Sequence, residues 1–233
     1  MPLDPVDKDL WIVEGPVVSF YGFPYPTRSV IARLPDGGLW VWSPVALTDD
    51  LREAIHALGP VSSLVSPNAL HHLWLADWIA AWPQASVYGL ASLARKRRDL
   101  TFTALLEDTP PTAWGGMIDQ AWLRASVFLD EIVFFHRPSR TAIVGDYCQA
   151  FEETFLAAQW SAWQRPIARV WGITEAHGRA PLELRLTTLK AGRARAAVQR
   201  ILAWAPERVV MAHGRWQRSN GQAWLRQSFD WLL

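Results

Sequence analysis

The 233-residue chain is 50% hydrophobic and 19% charged, a composition that is typical of a globular protein and excludes a disordered or fibrous one. Its 23 basic and 22 acidic residues give a formal net charge of +1, so no charge excess draws the chain to nucleic acid or to an anionic membrane. The single cysteine, Cys148, excludes an intramolecular disulfide and a four-cysteine zinc site. Tryptophan is the unusual component, with 15 residues that composition alone does not explain.

The first residues are acidic and rich in proline, unlike the basic and then apolar sequence of a secretory signal. The most apolar segment, residues 73–82, is interrupted by Asp77 and is much shorter than the roughly 20 residues that cross a bilayer. We therefore expect a cytoplasmic protein with neither a membrane nor a nucleic acid as its partner.

The first third of the sequence is typical of strands, and the pattern then changes to alternating strands and helices. β-Branched and aromatic runs predict four early strands, over residues 10–14, 17–20, 29–34 and 39–42. Thr48 is placed to cap a helix over residues 49–58, which Gly59 and Pro60 end. Further strands are predicted over 61–65 and 85–88, and further helices over 69–81 and 90–98.

The second half repeats this mixture of elements. The pattern predicts strands over 131–135, 141–144, 182–186 and 208–212, an amphipathic segment over 151–164, and helices over 190–203 and 222–233. Alternating strands and helices indicate a sheet covered by helices. Because we find no linker, low-complexity tract or repeat, we predict one α/β domain over residues 1–233.

Residues that can bind a metal follow directly on three predicted strands. His71 and His72 come soon after the strand over 61–65, Asp146 follows the strand over 141–144, and His213 follows the strand over 208–212. α/β folds place their sites at the carboxyl ends of strands. Imidazole and carboxylate ligands suit zinc, iron or manganese. A purely structural role for each residue taken singly stays open.

Four stretches together resemble the metallo-β-lactamase-like superfamily and, within it, an uncharacterised domain-of-unknown-function group. They are residues 39–45 (LWVWSPV), 66–72 (SPNALHH), 134–141 (FFHRPSRT) and 209–214 (VVMAHG). The resemblance implies a four-layer αββα sandwich with the site between the two sheets at one edge. Together with the ordered metal-binding residues at the strand ends, it motivates the hypothesis of a hydrolase of a small ester, thioester, lactone or phosphoester.

The metal-binding motif of that superfamily is degenerate in this chain. Active members carry His-x-His-x-Asp-His, and an alignment that ends on His72 puts Pro67 and Ala69 in place of the first two histidines. One of the two metal sites that the resemblance implies is therefore lost. The other keeps four residues that can bind one divalent ion: His71, His72, Asp146 and His213. Four protein ligands would close the shell of a zinc ion, whereas catalysis needs an open position.

Two functions stay open on the sequence alone. The first is a single-metal hydrolase whose catalytic residues are unassigned. The second is a metal-free, non-catalytic pseudo-hydrolase that binds a small ligand. A one-residue shift of the alignment favours the second, because that shift places Asn68 and Leu73 at the ends of the motif and retains no histidine ligand. Both hypotheses predict a small-molecule partner and a pocket wall formed by Asn68, Trp74 and Trp78.

Overall fold

The computed structural model describes residues 3–189 and 191–233, and its strands form two large sheets and one hairpin. In chain order the strands are β1 (Asp4–Asp7), β2 (Leu10–Glu14), β3 (Val18–Phe20), β4 (Phe23–Tyr25), β5 (Arg28–Arg33), β6 (Leu39–Trp42), β7 (Val61–Val65), β8 (Ser86–Gly89), β9 (Ala104–Leu105), β10 (Ile118–Leu123), β11 (Glu131–His136), β12 (Thr141–Ala150) and β13 (Arg208–Gly214). The first sheet has seven strands in the order β1-β2-β5-β6-β7-β8-β9. The second has four in the order β10-β11-β12-β13, and β3 pairs with β4 alone.

Helices cover the outer face of each large sheet. In chain order they are α1 (Asp49–Leu58), α2 (Leu75–Ala81), α3 (Ala91–Lys96), α4 (Glu153–Gln159), α5 (Arg165–Trp171), α6 (Leu182–Leu186), α7 (Ala191–Ala203) and α8 (Gly221–Ser228). Apolar residues of α1, α2 and α3 pack on the first sheet, and those of α7 and α8 pack on the second. Within the described ranges no helix is both long and apolar enough to cross a membrane.

The inner faces of the two sheets meet in an apolar core that contains large aromatic side chains. Trp40 and Trp42 of β6 are completely buried there with Ile132 and Phe134 of β11. The rings of Trp40 and Phe134 meet edge to face, with their centroids 5.2 Å apart. The layers are therefore helix, sheet, sheet and helix, which confirms the αββα sandwich expected from the sequence.

The predicted strand over residues 182–186 is wrong, because this segment is the short helix α6. Its alternation of leucine with charged residues matches the period of a strand, but Leu184 is buried while Leu186 is 74% exposed. These two leucines would share one face of a strand. Pro181 precedes the helix and Glu183 lies in its first turn, where the helix dipole favours an acidic side chain.

Two predicted helices differ from the structure at their ends. The helix predicted over 69–81 begins only at Leu75, so His71 and His72 lie in the preceding loop. The helix predicted over 222–233 is divided, with α8 ending at Ser228 and a 3₁₀ turn over Asp230–Leu232. Lys190, the first residue of the helix predicted over 190–203, lies outside the described residues.

His136 gives the fold a defined dependence on pH. It ends β11, is 1% exposed, and its Nδ1 lies 2.7 Å from Ser139 Oγ. Burial lowers the pKa of His136 to about 4, although Asp7 and Asp9 oppose the shift. The unfolded chain, with a pKa near 6.5, therefore binds this proton more readily than the folded chain. His136 therefore does not reduce the free energy of unfolding above about pH 6.5. Below that pH the free energy of unfolding decreases as the pH falls toward 4.

We expect the replacement His136→Gln to flatten the acid side of the stability profile. In the parent chain, His136 lowers the free energy of unfolding by at most about 3 kcal/mol between pH 7 and pH 4, because each pKa unit corresponds to about 1.4 kcal/mol. Urea unfolding of the parent chain and the variant at several pH values measures the difference. Parallel profiles over this range would contradict the prediction.

Candidate metal centre

Three side chains converge at one edge of the sandwich: His71, Asp146 and His213. His71 Nε2 lies 3.2 Å from Asp146 Oδ2, and His213 Nε2 lies 3.3 Å from Asp146 Oδ1. One nitrogen or oxygen atom of each residue lies within 4.8 Å of the corresponding atoms of the other two. The three side chains are only 8–9% exposed. Two imidazoles and one carboxylate therefore face a common point that is largely shielded from solvent.

An irregularity between β12 and β13 brings Asp146 to this point. The parallel pairing is regular as far as Val144, which lies opposite Met211, and resumes where Gln149 lies opposite His213. The chain thus advances five residues along β12, from Val144 to Gln149, while it advances two along β13, from Met211 to His213. The extra residues form a bulge that takes Asp146 out of the regular ladder. The carboxylate is thus free to approach His213 across the bulge.

Side-chain hydrogen bonds in the loop after β7 direct His71 toward Asp146. Ser66 Oγ donates to the carbonyl oxygen of His71 over 2.7 Å. Asn68 Oδ1 accepts from the backbone N–H groups of Leu70 and His71, at 2.8 and 3.3 Å. Such side-chain bonds compete with the backbone bonds of a helix. They explain why α2 starts later than the sequence pattern predicts.

His72 does not belong to the converging group. Its Nδ1 lies 3.0 Å from Arg97 Nη1, and its backbone carbonyl accepts from the same guanidinium nitrogen. Burial and the positive charges of Lys96 and Arg97 lower the pKa of His72 to about 4. Of the four metal ligands predicted from the sequence, the structure brings together three.

The outer nitrogen of each imidazole in the centre has its own partner. His213 Nδ1 lies 2.7 Å from the carbonyl oxygen of Pro26, and His71 Nδ1 lies 2.7 Å from Ser43 Oγ. A carbonyl oxygen can only accept, so the Nδ1 of His213 must carry a hydrogen atom. In the neutral ring Nε2 then presents a lone pair to the Asp146 carboxylate. Two acceptors that face each other need a shared cation, either a proton or a metal ion.

This donor set fits a divalent metal ion. Neutral imidazole nitrogens and a carboxylate are ligands for zinc, iron and manganese. A second partner that fixes the outer nitrogen of a ligating histidine is a common feature of such sites. Although burial acts in the opposite direction, the positive charge and the N–H groups of the His71 and His213 imidazoles in their protonated forms hold the pKa of Asp146 below its usual range, and a divalent ion bound in place of those protons acts in the same direction. The carboxylate therefore stays ionised, as a metal ligand must be.

Glu131 is part of this site, and the sequence reasoning did not identify it. Its Oε1 accepts the backbone N–H of Gly145 over 2.8 Å, and its Oε2 accepts that of Asp146 over 2.6 Å. Burial, followed by the negative charge of Asp146, raises the pKa of Glu131 above its usual range. A glutamate at the start of the otherwise apolar strand EIVFF was the one signal that marked it.

The structure places the three expected pocket residues in different surroundings. Asn68 is completely buried and donates from Nδ2 to Asp146 Oδ2 over 2.8 Å. Trp78 is also completely buried, and its indole N–H donates to the carbonyl oxygen of Val45. Trp78 belongs to the apolar cluster between the helices and the outer face of the first sheet, and the partly buried Trp74 packs against that cluster. Both tryptophans thus contribute to helix–sheet packing, and this placement gives no support for a pocket wall.

Solved structures with the same overall fold include metallo-beta-lactamases. DIM-1 metallo-beta-lactamase exposed to ceftazidime matches with a TM-score of 0.67 and 13% identity, over 99% of this chain and 95% of that chain. The metallo-beta-lactamase from Pontibacter korlensis matches with a TM-score of 0.64 and 14% identity, over 99% and 98%. FIM-1 from Pseudomonas aeruginosa, in its mono-zinc form, matches with a TM-score of 0.63 and 12% identity, over 99% and 94%.

At this level of identity the similarity establishes the fold, so the chain is a protein of the metallo-beta-lactamase fold. It belongs to the family described as Domain of unknown function (DUF4336), whose model matches residues 8–162. The matched range includes His71 and Asp146, whereas His213 lies beyond it. No curated protein matches the chain.

The close approach of Gly145 to Glu131 gives a test of this architecture. A Cβ atom at position 145 would lie 2.6 Å from Glu131 Oε2 and 3.2 Å from Asn68 Nδ2. We expect Gly145→Ala to lower the free energy of unfolding by about 1–3 kcal/mol, because a buried contact is overpacked. Denaturant unfolding measures the change.

Gly192→Ala is the matched control for this substitution. Gly192 lies in α7, and a Cβ atom there would meet no atom within 4 Å. This replacement should stabilise the chain by up to about 1 kcal/mol, through helix propensity alone. Equal effects of the two substitutions would show that the Gly145 backbone is not packed against Glu131.

Proposed function

We propose that this protein is a single-metal hydrolase whose divalent ion is held by His71, Asp146 and His213. The observation that carries the proposal is the Nε2 atom of His213, whose lone pair faces the Asp146 carboxylate because Pro26 holds the hydrogen atom of Nδ1. A buried arrangement of two facing acceptors is unfavourable without a cation between them. A cation between them removes this conflict, and for the site that we propose this cation is a divalent metal ion rather than a proton.

Three protein ligands, rather than the four in the sequence motif, support a catalytic role. Structural zinc sites have four protein ligands, whereas catalytic sites have three and keep a position open. His72 contacts Arg97 instead, which leaves that position available to water or substrate. FIM-1, which shares the fold, has been crystallised in a mono-zinc form, and a single ion is likewise what we propose for this chain.

The proposed centre combines its three ligands with two residues that orient them. Pro26 and Ser43 orient the two imidazoles through their outer nitrogens. Two neutral imidazoles and one carboxylate leave a divalent centre with a net charge of +1. When bound, the ion would supply Lewis acidity toward a carbonyl or phosphoryl oxygen and would lower the pKa of water. The small exposed fraction of the three side chains favours a small substrate, such as an ester, thioester, lactone or phosphoester.

The test of the proposed centre is the metal content of the protein purified without a histidine tag. We expect about one zinc, iron or manganese ion per chain. Asp146→Ala and His213→Ala should weaken binding by more than the roughly 10–100-fold that loss of an outer partner costs. Elemental analysis and titration against a competing chelator measure both quantities.

His72→Ala is the matched control, since it removes a neighbouring imidazole that lies outside the centre. This variant should keep the metal content of the parent chain. A parent chain that takes up no divalent ion would end the proposal, and so would equal losses in the His72 and His213 variants. The first of these results, together with a ligand-dependent change in tryptophan fluorescence, would favour the metal-free binding protein instead.

Turnover is tested with nitrophenyl esters, thioesters, lactones and phosphoesters. The expected activity disappears with chelator, returns on addition of the metal, and survives His72→Ala. Activity that chelator leaves unchanged would contradict a metal-dependent hydrolase.

A further inference from the structure

The side-chain amide of Asn68 lies between two buried carboxylates. Its Nδ2 is 2.8 Å from Asp146 Oδ2 and 3.0 Å from Glu131 Oε2. Asn68 and Glu131 are completely buried, and Asp146 is buried as well. One amide nitrogen thus bridges the carboxylate of the proposed metal centre and the carboxylate beneath it.

Backbone contacts determine which way this amide points. Asn68 Oδ1 accepts from the N–H groups of Leu70 and His71, which can only donate. The nitrogen must therefore face the carboxylates, and its two hydrogen atoms serve one carboxylate each. The opposite orientation would place an oxygen against two carboxylates and would leave both backbone N–H groups without an acceptor.

Glu131 is committed to contacts other than the three converging side chains. Its two oxygens accept the N–H groups of Gly145 and Asp146 in addition to the Asn68 amide. Two buried carboxylate oxygens that both lie within 3.0 Å of one nitrogen atom are a donor set suited to a divalent cation placed between them. Here the polarised N–H groups of Asn68 occupy the space between them.

We propose that Asn68 limits the centre to one metal ion, because its amide N–H groups occupy the oxygens of Asp146 and Glu131 that would otherwise bind a second ion. Asn68 also acts as a positioning residue, since its bond to Oδ2 fixes the Asp146 carboxylate for the first ion. This inference rests on the proposed single-metal centre.

The experiment counts ions per chain in Asn68→Asp, in which a third carboxylate oxygen replaces the amide nitrogen at nearly the same volume. The parent chain should bind one zinc or manganese ion, and the variant should bind two. Elemental analysis after gel filtration gives the stoichiometry, and calorimetric titration with zinc should show a second binding phase. Asn220→Asp makes the same chemical change at an exposed position and should keep one ion.

The outcomes separate this inference from the proposed function. A parent chain without metal overturns the proposed centre, whereas a parent chain with two ions overturns only the role of Asn68. One ion in both the parent chain and Asn68→Asp also overturns that role and leaves the proposed centre standing.

Asn68→Ser provides a second variant should Asn68→Asp fold poorly. It removes the amide N–H groups and shortens the side chain without adding a carboxylate, and it should take up a second ion at zinc concentrations where the parent chain holds one. Failure of both variants to fold in excess zinc would count against the inference, since a second ion would replace the lost hydrogen bonds.

Discussion

The site depends on how the chain compensates for the bulge in β12. Where β12 leaves its regular pairing with β13, the backbone N–H groups of Gly145 and Asp146 need acceptors that the neighbouring strand does not provide. Glu131 supplies both, one from each of its carboxylate oxygens. The strand can therefore depart from the ladder without unsatisfied donors, and the departure presents Asp146 to the two histidines. Without Glu131 these two N–H groups would have no acceptor, and the bulge that directs Asp146 toward the histidines would be destabilised.

The centre also depends on the packing of one sheet against the other. His213 and Asp146 belong to the second sheet, whereas Ser43 follows β6 and Pro26 precedes β5 in the first sheet. The hydrogen bond between His213 and Pro26 thus links the two layers, and so does the contact of His71, which follows β7 of the first sheet, with Asp146. Contacts such as that between Trp40 and Phe134 hold the layers at a constant separation. The buried tryptophans of β6 contribute in this way to the geometry of a site that they do not ligate.

Local signals and tertiary contacts differ in how far they can be predicted. The helix over residues 49–58 was predicted with its observed bounds, because Thr48 caps one end and Gly59 breaks the other. The residues after the strands were identifiable from their order along the chain. Ser43 and Glu131 were not, because their roles arise from contacts with residues 28 and 15 positions away. The loop before α2 was predicted to be part of the helix. The hydrogen bonds from side chains to the backbone that keep it out of the helix cannot be recognised from the spacing of apolar residues.

The energetics of the buried polar cluster favour a functional explanation over a structural one. Asp146 and Glu131 are buried side by side, and the burial of charged groups typically costs more than their mutual contacts return. Apolar side chains of similar size would hold two sheets together at least as well. The two imidazoles facing Asp146 offset the cost only in part, since the Nε2 of a neutral His213 is an acceptor rather than a donor. A bound cation removes this conflict, and the stability of the edge of the sandwich should therefore increase with the occupancy of its metal site.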